Sequence, residues 1–308
     1  MAQTTYLRRA LAERGYSECR SERTPASTGP LSTTKGEAQL AKEAAAAAKA
    51  EADSQSSAAD APRITAATFT SVLGTFMYAS NCTRPDITQA LNHLARDSVN
   101  PSTESVLELR RIARYLSGTL EIGLVYSPTG SSQLSTYCDS DWAGCTATRK
   151  STSGSALMLG GAAIHWASKR QPSVALSTAE AEYTAMGEAT RNVMHCRELL
   201  THLGMPQSSA TMLYCDSQAA IAISKAESVA PRRKHIDVKH HFIREQIHAG
   251  VIQPQWISTL EQPADIFTKV LPVEAFIQHR EFITNSKQAS SSGGGSKVSQ
   301  AKAQPSLD

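Results

Sequence analysis

Four acidic residues lie in local settings that would present their carboxylates at one point. Asp139 and Asp216 each follow a short apolar run of strand type, Glu182 lies in a helical segment, and Asp265 follows Pro263 at a helix start. Four converging carboxylates cannot all stay ionised without counter-charge, and hard oxygen ligands select Mg²⁺ or Mn²⁺. Two such ions form a clamp that cleaves phosphodiesters. The pattern therefore predicts a site for two Mg²⁺ ions, with Mn²⁺ as a substitute.

The composition divides the chain of 308 residues unevenly. Residues 1–62 are rich in Ala, Ser, Thr, Glu and Lys and have almost no apolar stripe, so we predict that they are disordered. Residues 284–308, which contain a run of serines and glycines, are predicted to be a second disordered tail. The net charge of +3 neither favours nor excludes a nucleic-acid partner.

Cysteine usage and hydropathy limit the class of protein. The six cysteines form no CxxC pair, which argues against a zinc ribbon, and no apolar run approaches the length of a membrane span. We therefore expect no membrane partner and an intracellular, reduced protein, cytoplasmic or nuclear.

The regions between the tails differ in periodicity. Residues 63–127 carry apolar residues at helical spacing and predict a small helical unit. Residues 131–283 begin with three strand-like runs, of which the first ends at Cys138 and the last two are joined by Gly160-Gly161, and continue as alternating helices and strands. This order predicts an α/β fold with a mixed five-stranded sheet flanked by helices.

Several motifs together resemble the ribonuclease H domain of copia-type LTR retrotransposon Pol polyproteins. They occur in the family's order at Arg149–Gly154, Trp166–Gln171, Ser177–Tyr183, Lys234–Val238 and Ala264–Lys269. Upstream, Thr83–Ile87 and Arg114–Thr119 resemble the end of the same element's reverse transcriptase, so the resemblance makes residues 63–127 a remnant of its thumb or connection. The polymerase palm is missing from this sequence, and we expect DNA synthesis to need a palm supplied by another chain.

The resemblance implies a ribonuclease H-like fold and metal-dependent cleavage of the RNA strand in RNA–DNA hybrids. It assigns Asp139, Glu182, Asp216 and Asp265 as the catalytic, metal-binding acids. Asp141 is a weaker candidate beside Asp139. Many ribonucleases H carry a histidine in the loop before the last acid, and residues 258–262 contain none.

The residues alone also allow structural roles for these acids. Ser177 and Glu180 form a capping box, which gives Glu180 a structural role and favours Glu182 for the site. Asp216 and Asp265 are each compatible with an ordinary acid at a helix N-terminus.

Residues for hybrid binding are inferred from their type and place. Small polar groups would sense 2′-hydroxyls and basic groups would hold phosphates. The predicted substrate-binding residues are Ser140, Arg149, Ser151, Thr152, Lys169, Arg170 and Ser217. The histidine-rich segment with His235, Asp237, His240 and His241 lacks standard zinc spacing, and a role in packing or backbone contact is favoured there.

Three alternatives stay open on the sequence. The domain could be a catalytically inactive relic that binds RNA–DNA hybrids without turnover. It could be another nuclease on the same fold, although the Ser177–Tyr183 context argues against this. It could also be the product of a pseudogene.

Overall fold

The computed structural model describes residues 1–27, 64–128, 130–145, 147–226 and 234–286, apart from the side chains of residues 234–240. The first part is helical, with α1 at Thr4–Ala12, α2 at Ala66–Cys82, α3 at Thr88–Leu94 and α4 at Thr103–Ser117. The hydroxyls of Thr65 and Ser102 cap α2 and α4, because each accepts a hydrogen bond from a backbone N–H of the first turn. The helical unit predicted between the tails is therefore present.

The prediction of disorder over residues 1–62 is wrong for residues 1–27. Leu7, Ala10 and Leu11 of α1 form a stripe at helical spacing, and all three are buried. The alanine- and serine-rich average of the segment concealed this stripe. Residues 28–62 lie outside the described part of the chain. The C-terminal tail also begins later than predicted, because Thr284 is buried and Asn285 donates a 2.9 Å hydrogen bond to the carbonyl of Val125.

The second part is built on a five-stranded sheet of order β3-β2-β1-β4-β5. Pairings among the first three strands are antiparallel, whereas β1–β4 and β4–β5 are parallel. The strands are β1 Ser135–Asp141, β2 Thr152–Leu159, β3 Ala162–Arg170, β4 Thr211–Cys215 and β5 Ile252–Trp256. The helices are α5 Thr178–His202, α6 Gln218–Lys225, α7 Lys234–His248 and α8 Val273–Thr284. The predicted mixed α/β sheet is thus confirmed.

The two faces of the sheet contribute to two different cores. Along β2, Leu157 packs in a core with residues of α5, α6 and α7, while Ala156 and Met158 belong to the core on the opposite face. That second core also contains Phe76 of α2 and Phe276 of α8. The helical unit therefore shares one core with the sheet. The domain boundary drawn between residues 127 and 131 stays a prediction.

A buried ion pair completes the helical unit. The guanidinium of Arg84 donates to both carboxylate oxygens of Asp86, at 2.9 and 2.8 Å, and to the carbonyl of Thr119 at 2.8 Å. Tyr115 donates its hydroxyl proton to Asp86 and accepts a 3.2 Å hydrogen bond from Arg280 of α8. The network links the helical unit to the last helix of the sheet domain.

Candidate metal centre

Asp139 lies inside β1, at the middle of the sheet. We predicted it at the end of a strand that stops at Cys138, but the strand continues to Asp141. Its partner across the antiparallel pair is Gly154 of β2. A Cβ atom at Gly154 would lie 2.6 Å from Thr268 and 2.9 Å from the carbonyl of Ala264. A glycine here thus lets the segment that carries Asp265 pack directly on the sheet beside Asp139.

Glu182 enters the site from the start of α5. Ser177 accepts a hydrogen bond from the N–H of Glu180, and the Glu180 carboxylate accepts one from the N–H of Leu176. Ser177 therefore caps α5 as predicted, although Glu180 bonds the N–H of Leu176 rather than that of Ser177. Glu182, two residues further on, faces β1. The Glu182 carboxylate accepts from the N–H of Ser140 at 3.2 Å and from the thiol of Cys215 at 3.9 Å. Burial first, and then the charge of Asp139, raise the pKa of Glu182 to about 10.

Asp216 follows the last residue of β4 directly. Its carboxylate accepts a 2.8 Å hydrogen bond from the hydroxyl of Thr259, and its carbonyl accepts one of 3.1 Å from the indole of Trp256. Burial and the nearby Asp139 raise the pKa of Asp216 above its ordinary value. The loop after β5 therefore holds Asp216 next to the central strand.

Asp265 lies in a 3₁₀ helix, Pro263–Phe267, that is separate from α8. We expected this segment to open the last α-helix, but the chain turns away before Pro272. Asp265 is buried, and its Oδ1 atom has no hydrogen-bond partner among the described residues. Burial first, and then Asp139, raise the pKa of Asp265 to about 7. A buried carboxylate with an unused oxygen is short of a cation or a donor.

The four predicted acids therefore come together around β1. Electrostatic interactions join Asp139 to Glu182, Asp216 and Asp265, and each raises the pKa of the partner acid. Ligand atoms of Glu182, Cys215 and Asp216 lie within 4.8 Å of one another. The carboxylates of this set, together with the oxygen of Asp265 that has no hydrogen-bond partner among the described residues, fit divalent cations with a preference for oxygen ligands, whereas the thiol of Cys215 does not.

Besides Thr259, the site contains Cys215, Thr268 and Lys269, which were not predicted. Cys215 adds a thiol beside Glu182, and Thr268 donates a short hydrogen bond to Asp139. Lys269 places its ammonium 2.9 Å from Asp265 and 4.0 Å from Asp139. A signal for Lys269 was present, since it follows Asp265 by one helical turn in the motif Ala264–Lys269.

Asp141 takes a different position from the four acids. Its pKa is raised by burial and by Asp139, but its carboxylate packs against Gly144 and lines a cavity beside the site. The structure therefore places it next to the cluster, and a role as a ligand stays a prediction.

The predicted substrate-binding residues fall into two groups. The hydroxyls of Ser140, Ser151 and Ser217 already accept hydrogen bonds within the fold, and that of Ser217 caps α6. Thr152 is buried and lines the cavity beside the site. Lys169 and Arg170 are exposed at the end of β3. Arg149 lies in the loop between β1 and β2 with φ 55°. Their contacts with a substrate stay predictions. The side chains of His235, Asp237 and His240 lie outside the described residues.

Comparison with known proteins identifies the relatives of this chain. No family profile matches it. The retrovirus-related Pol polyprotein from transposon TNT 1-94 of Nicotiana tabacum is 41% identical over 216 residues, which are 70% of this chain and 16% of that protein. The corresponding polyprotein from transposon RE1 of Arabidopsis thaliana is 36% identical over 205 residues, 67% of this chain and 14% of that protein.

The chain belongs to the Pol polyproteins of copia-type retrotransposons. It spans less than a fifth of the length of these two relatives, 16% and 14%. Among solved structures, LC11-RNase H1 from compost is similar with a TM-score of 0.36 and 14% identity, over 48% of this chain and 98% of that chain. The mixed five-stranded sheet with its flanking helices has the α/β architecture predicted from the sequence. Within the described ranges, none of the helices has the length and apolar character needed to cross a membrane.

Proposed function

We propose that this domain cleaves the RNA strand of RNA–DNA hybrids by hydrolysis at a two-metal centre. The observation that carries the proposal is the convergence of four acids from four separate elements on one buried point. Four carboxylates in this setting are short of positive charge, and two of them have pKa values raised to about 10 and about 7. Divalent cations would supply this charge.

Each acid would have a distinct role. Asp139, at the centre of the cluster, would help to hold both ions, Glu182 and Asp216 would hold one of them, and Asp265 would hold the other. Bound Mg²⁺ or Mn²⁺ would supply the Lewis-acid chemistry that activates water and stabilises the leaving oxygen. In the net hydrolysis, the water oxygen would bond to phosphorus, the P–O3′ bond would break, and the 3′ oxygen would take up a proton. The products are a 5′-phosphate and a 3′-hydroxyl.

The surroundings of the acids suit this role. Thr268 orients Asp139, Thr259 orients Asp216, and the N–H of Ser140 orients Glu182. Each bond fixes a carboxylate rotamer before the substrate arrives, which reduces the reorganisation needed for catalysis. The exposed Lys169 and Arg170 at the end of β3 would hold the phosphates of the hybrid.

Incubation of the full chain with a labelled hybrid tests the proposal, with single-stranded RNA and duplex DNA as controls. We expect cleavage of the hybridised RNA alone, dependent on Mg²⁺ or Mn²⁺ and lost in Asp139→Asn. The Asp216→Asn variant is expected to lose cleavage while it keeps hybrid binding. Wild-type rates in either variant would show that the acids are wrongly assigned.

A folded wild-type chain that binds the hybrid without cleaving it would instead favour the second candidate function, a hybrid-binding relic. The presence of all four acids favours the enzyme. Partner and location follow the same proposal: the hybrid would come from a reverse transcriptase palm on another chain, in the cytoplasm or the nucleus.

A further inference from the structure

Lys269 occupies a position that the proposed metal ions would also need. Its ammonium lies 2.9 Å from Oδ2 of Asp265 and 4.0 Å from Oδ2 of Asp139. Its backbone N–H donates to the carbonyl of Asp265 at 3.2 Å, so the 3₁₀ turn anchors the base of the side chain. The ammonium is therefore a built-in counter-ion for this pair of carboxylates.

One ammonium does not satisfy the pair. Oδ1 of Asp265 stays buried and without a hydrogen-bond partner among the described residues, although Lys269 contacts the other oxygen. A divalent cation could use both carboxylates, but it could not enter while an ammonium remains in contact with them, since the two positive charges would repel each other at short range. Occupancy by Lys269 and by an ion at the Asp139–Asp265 pair therefore exclude each other.

The side chain has a place to move to. Lys269 is 38% exposed, and it lines a cavity of about 220 Å³ between the helical unit and the sheet. The acidic residues in the lining of this cavity are Asp97, Glu104, Glu108 and Asp141, and the basic ones are His93, Arg96 and Lys269 itself. An ammonium that leaves the carboxylate pair would thus find acidic groups on the far side of the cavity.

We propose that Lys269 competes with one divalent ion for the Asp139–Asp265 pair and so sets the metal concentration at which that ion binds. The inference rests on the proposed metal centre. In the absence of metal, Lys269 stabilises the clustered carboxylates. When metal is present, the ammonium is displaced into the cavity, and the affinity for that ion is lowered by the cost of the exchange.

Calorimetric titration of the full chain with Mn²⁺ tests this, beside thermal unfolding in a chelator. The variants are Lys269→Met, which removes the charge, Lys269→Gln as a polar second form, and Lys269→Arg, which keeps the charge. Lys225→Met, at the exposed end of α6, is the matched control. We expect Lys269→Met and Lys269→Gln to unfold at a lower temperature in the chelator, yet to bind the Mn²⁺ ion at the Asp139–Asp265 pair about tenfold more tightly.

Lys269→Arg and Lys225→Met are expected to keep the wild-type Mn²⁺ affinity. A lower unfolding temperature with unchanged or weaker Mn²⁺ binding in both uncharged variants would overturn the proposal and leave Lys269 a purely structural residue. A wild-type chain that binds no Mn²⁺ would also overturn it. If Lys269→Met tightens Mn²⁺ binding but no variant or wild type cleaves a hybrid, the competition stands and the proposed function fails.

Discussion

Two buried groups of charges in this molecule are built in opposite ways. In the helical unit, Arg84 neutralises Asp86, and Tyr115 and Thr119 satisfy the remaining polar atoms. At the centre of the sheet, Asp139, Asp216 and Asp265 share the partly exposed Lys269 as a counter-ion, and Glu182 has no basic partner among the described residues. Burial tends to raise the pKa of acids in both places, but Arg84 outweighs it and the pKa of Asp86 is lowered, whereas the pKa of Glu182 rises to about 10.

The contrast separates structure from function. Burial is similar at the two sites, but its effect on the pKa is opposite. The pKa of Asp86 is lowered because its counter-charge is present, whereas the pKa of Glu182 is raised because most of the counter-charge is missing. Burial of carboxylates without counter-charge is unfavourable, so the stability of the sheet alone does not explain this cluster. We therefore interpret the Arg84–Asp86 pair as structural support for the helical unit, which Tyr115 connects to Arg280 of α8, and the acid cluster as a site kept open for cations.

The largest effect is expected on cleavage when one acid of the cluster loses its charge. Glu182→Gln removes a proposed metal ligand and is expected to lower the rate of hybrid cleavage at least about 10³-fold. Glu180→Gln, two residues earlier on the same helix, is the control and is expected to keep its cleavage rate, because Glu180 only caps α5. Single-turnover cleavage of labelled hybrid measures both. Equal losses of cleavage rate in Glu182→Gln and Glu180→Gln would contradict the assignment of different roles to these two acids.

The next largest effect concerns stability and the other charge group. Arg84→Met leaves Asp86 buried without its partner, and we expect the free energy of unfolding to fall by about 3–5 kcal/mol. Urea denaturation measures this, with Arg84→Met/Asp86→Leu as a control that removes both charges and is expected to regain part of the loss. If Arg84→Met is as stable as the wild type, the Arg84–Asp86 pair does not stabilise the fold.

In the acid cluster, Glu182→Gln is expected to have little effect on the free energy of unfolding. Because the raised pKa keeps Glu182 protonated at neutral pH without metal, Glu182→Gln replaces one neutral group by another. The free energy of unfolding in a chelator is expected to stay within about 1 kcal/mol of the wild type. Added Mg²⁺ is expected to raise the unfolding temperature of the wild type and of Glu180→Gln, but not that of Glu182→Gln. A fall in the free energy of unfolding as large as that expected for Arg84→Met would contradict the proposed difference between the two groups of charges.

The smallest expected effect is a pH dependence of the metal-free chain. The folded state holds a proton on Asp265 up to about pH 7, whereas the unfolded state releases it near the ordinary pKa of 3.8. The folded state therefore binds more protons in this window, and the stability that Asp265 contributes falls as pH rises through it. Chemical denaturation at several pH values in a chelator should show a slope that Asp265→Asn reduces. An unchanged slope in that variant would show that Asp265 is not protonated.

The sequence predicted the mixed five-stranded sheet, with a hairpin followed by alternating helices and strands, and the four acids that meet at β1. The strands came from local signals, such as the glycine pair at the β2–β3 turn, and the capping signal at Ser177 favoured Glu182 over Glu180. The assignment of the four acids also rested on the resemblance to the ribonuclease H family. It did not predict α1, because the apolar stripe of Leu7, Ala10 and Leu11 is short and lies in a segment of misleading average composition. The partners Cys215 and Thr268 were missed because their roles depend on contacts between distant segments.

Mn²⁺ binding followed by electron paramagnetic resonance tests whether the four acids form a divalent-metal centre. The wild-type chain and Asp139→Asn are compared at equal concentration, with Glu180→Gln as the charge-matched control. We expect saturable Mn²⁺ binding by the wild type and the control, and its loss in Asp139→Asn. The same binding curve for all three proteins would contradict it.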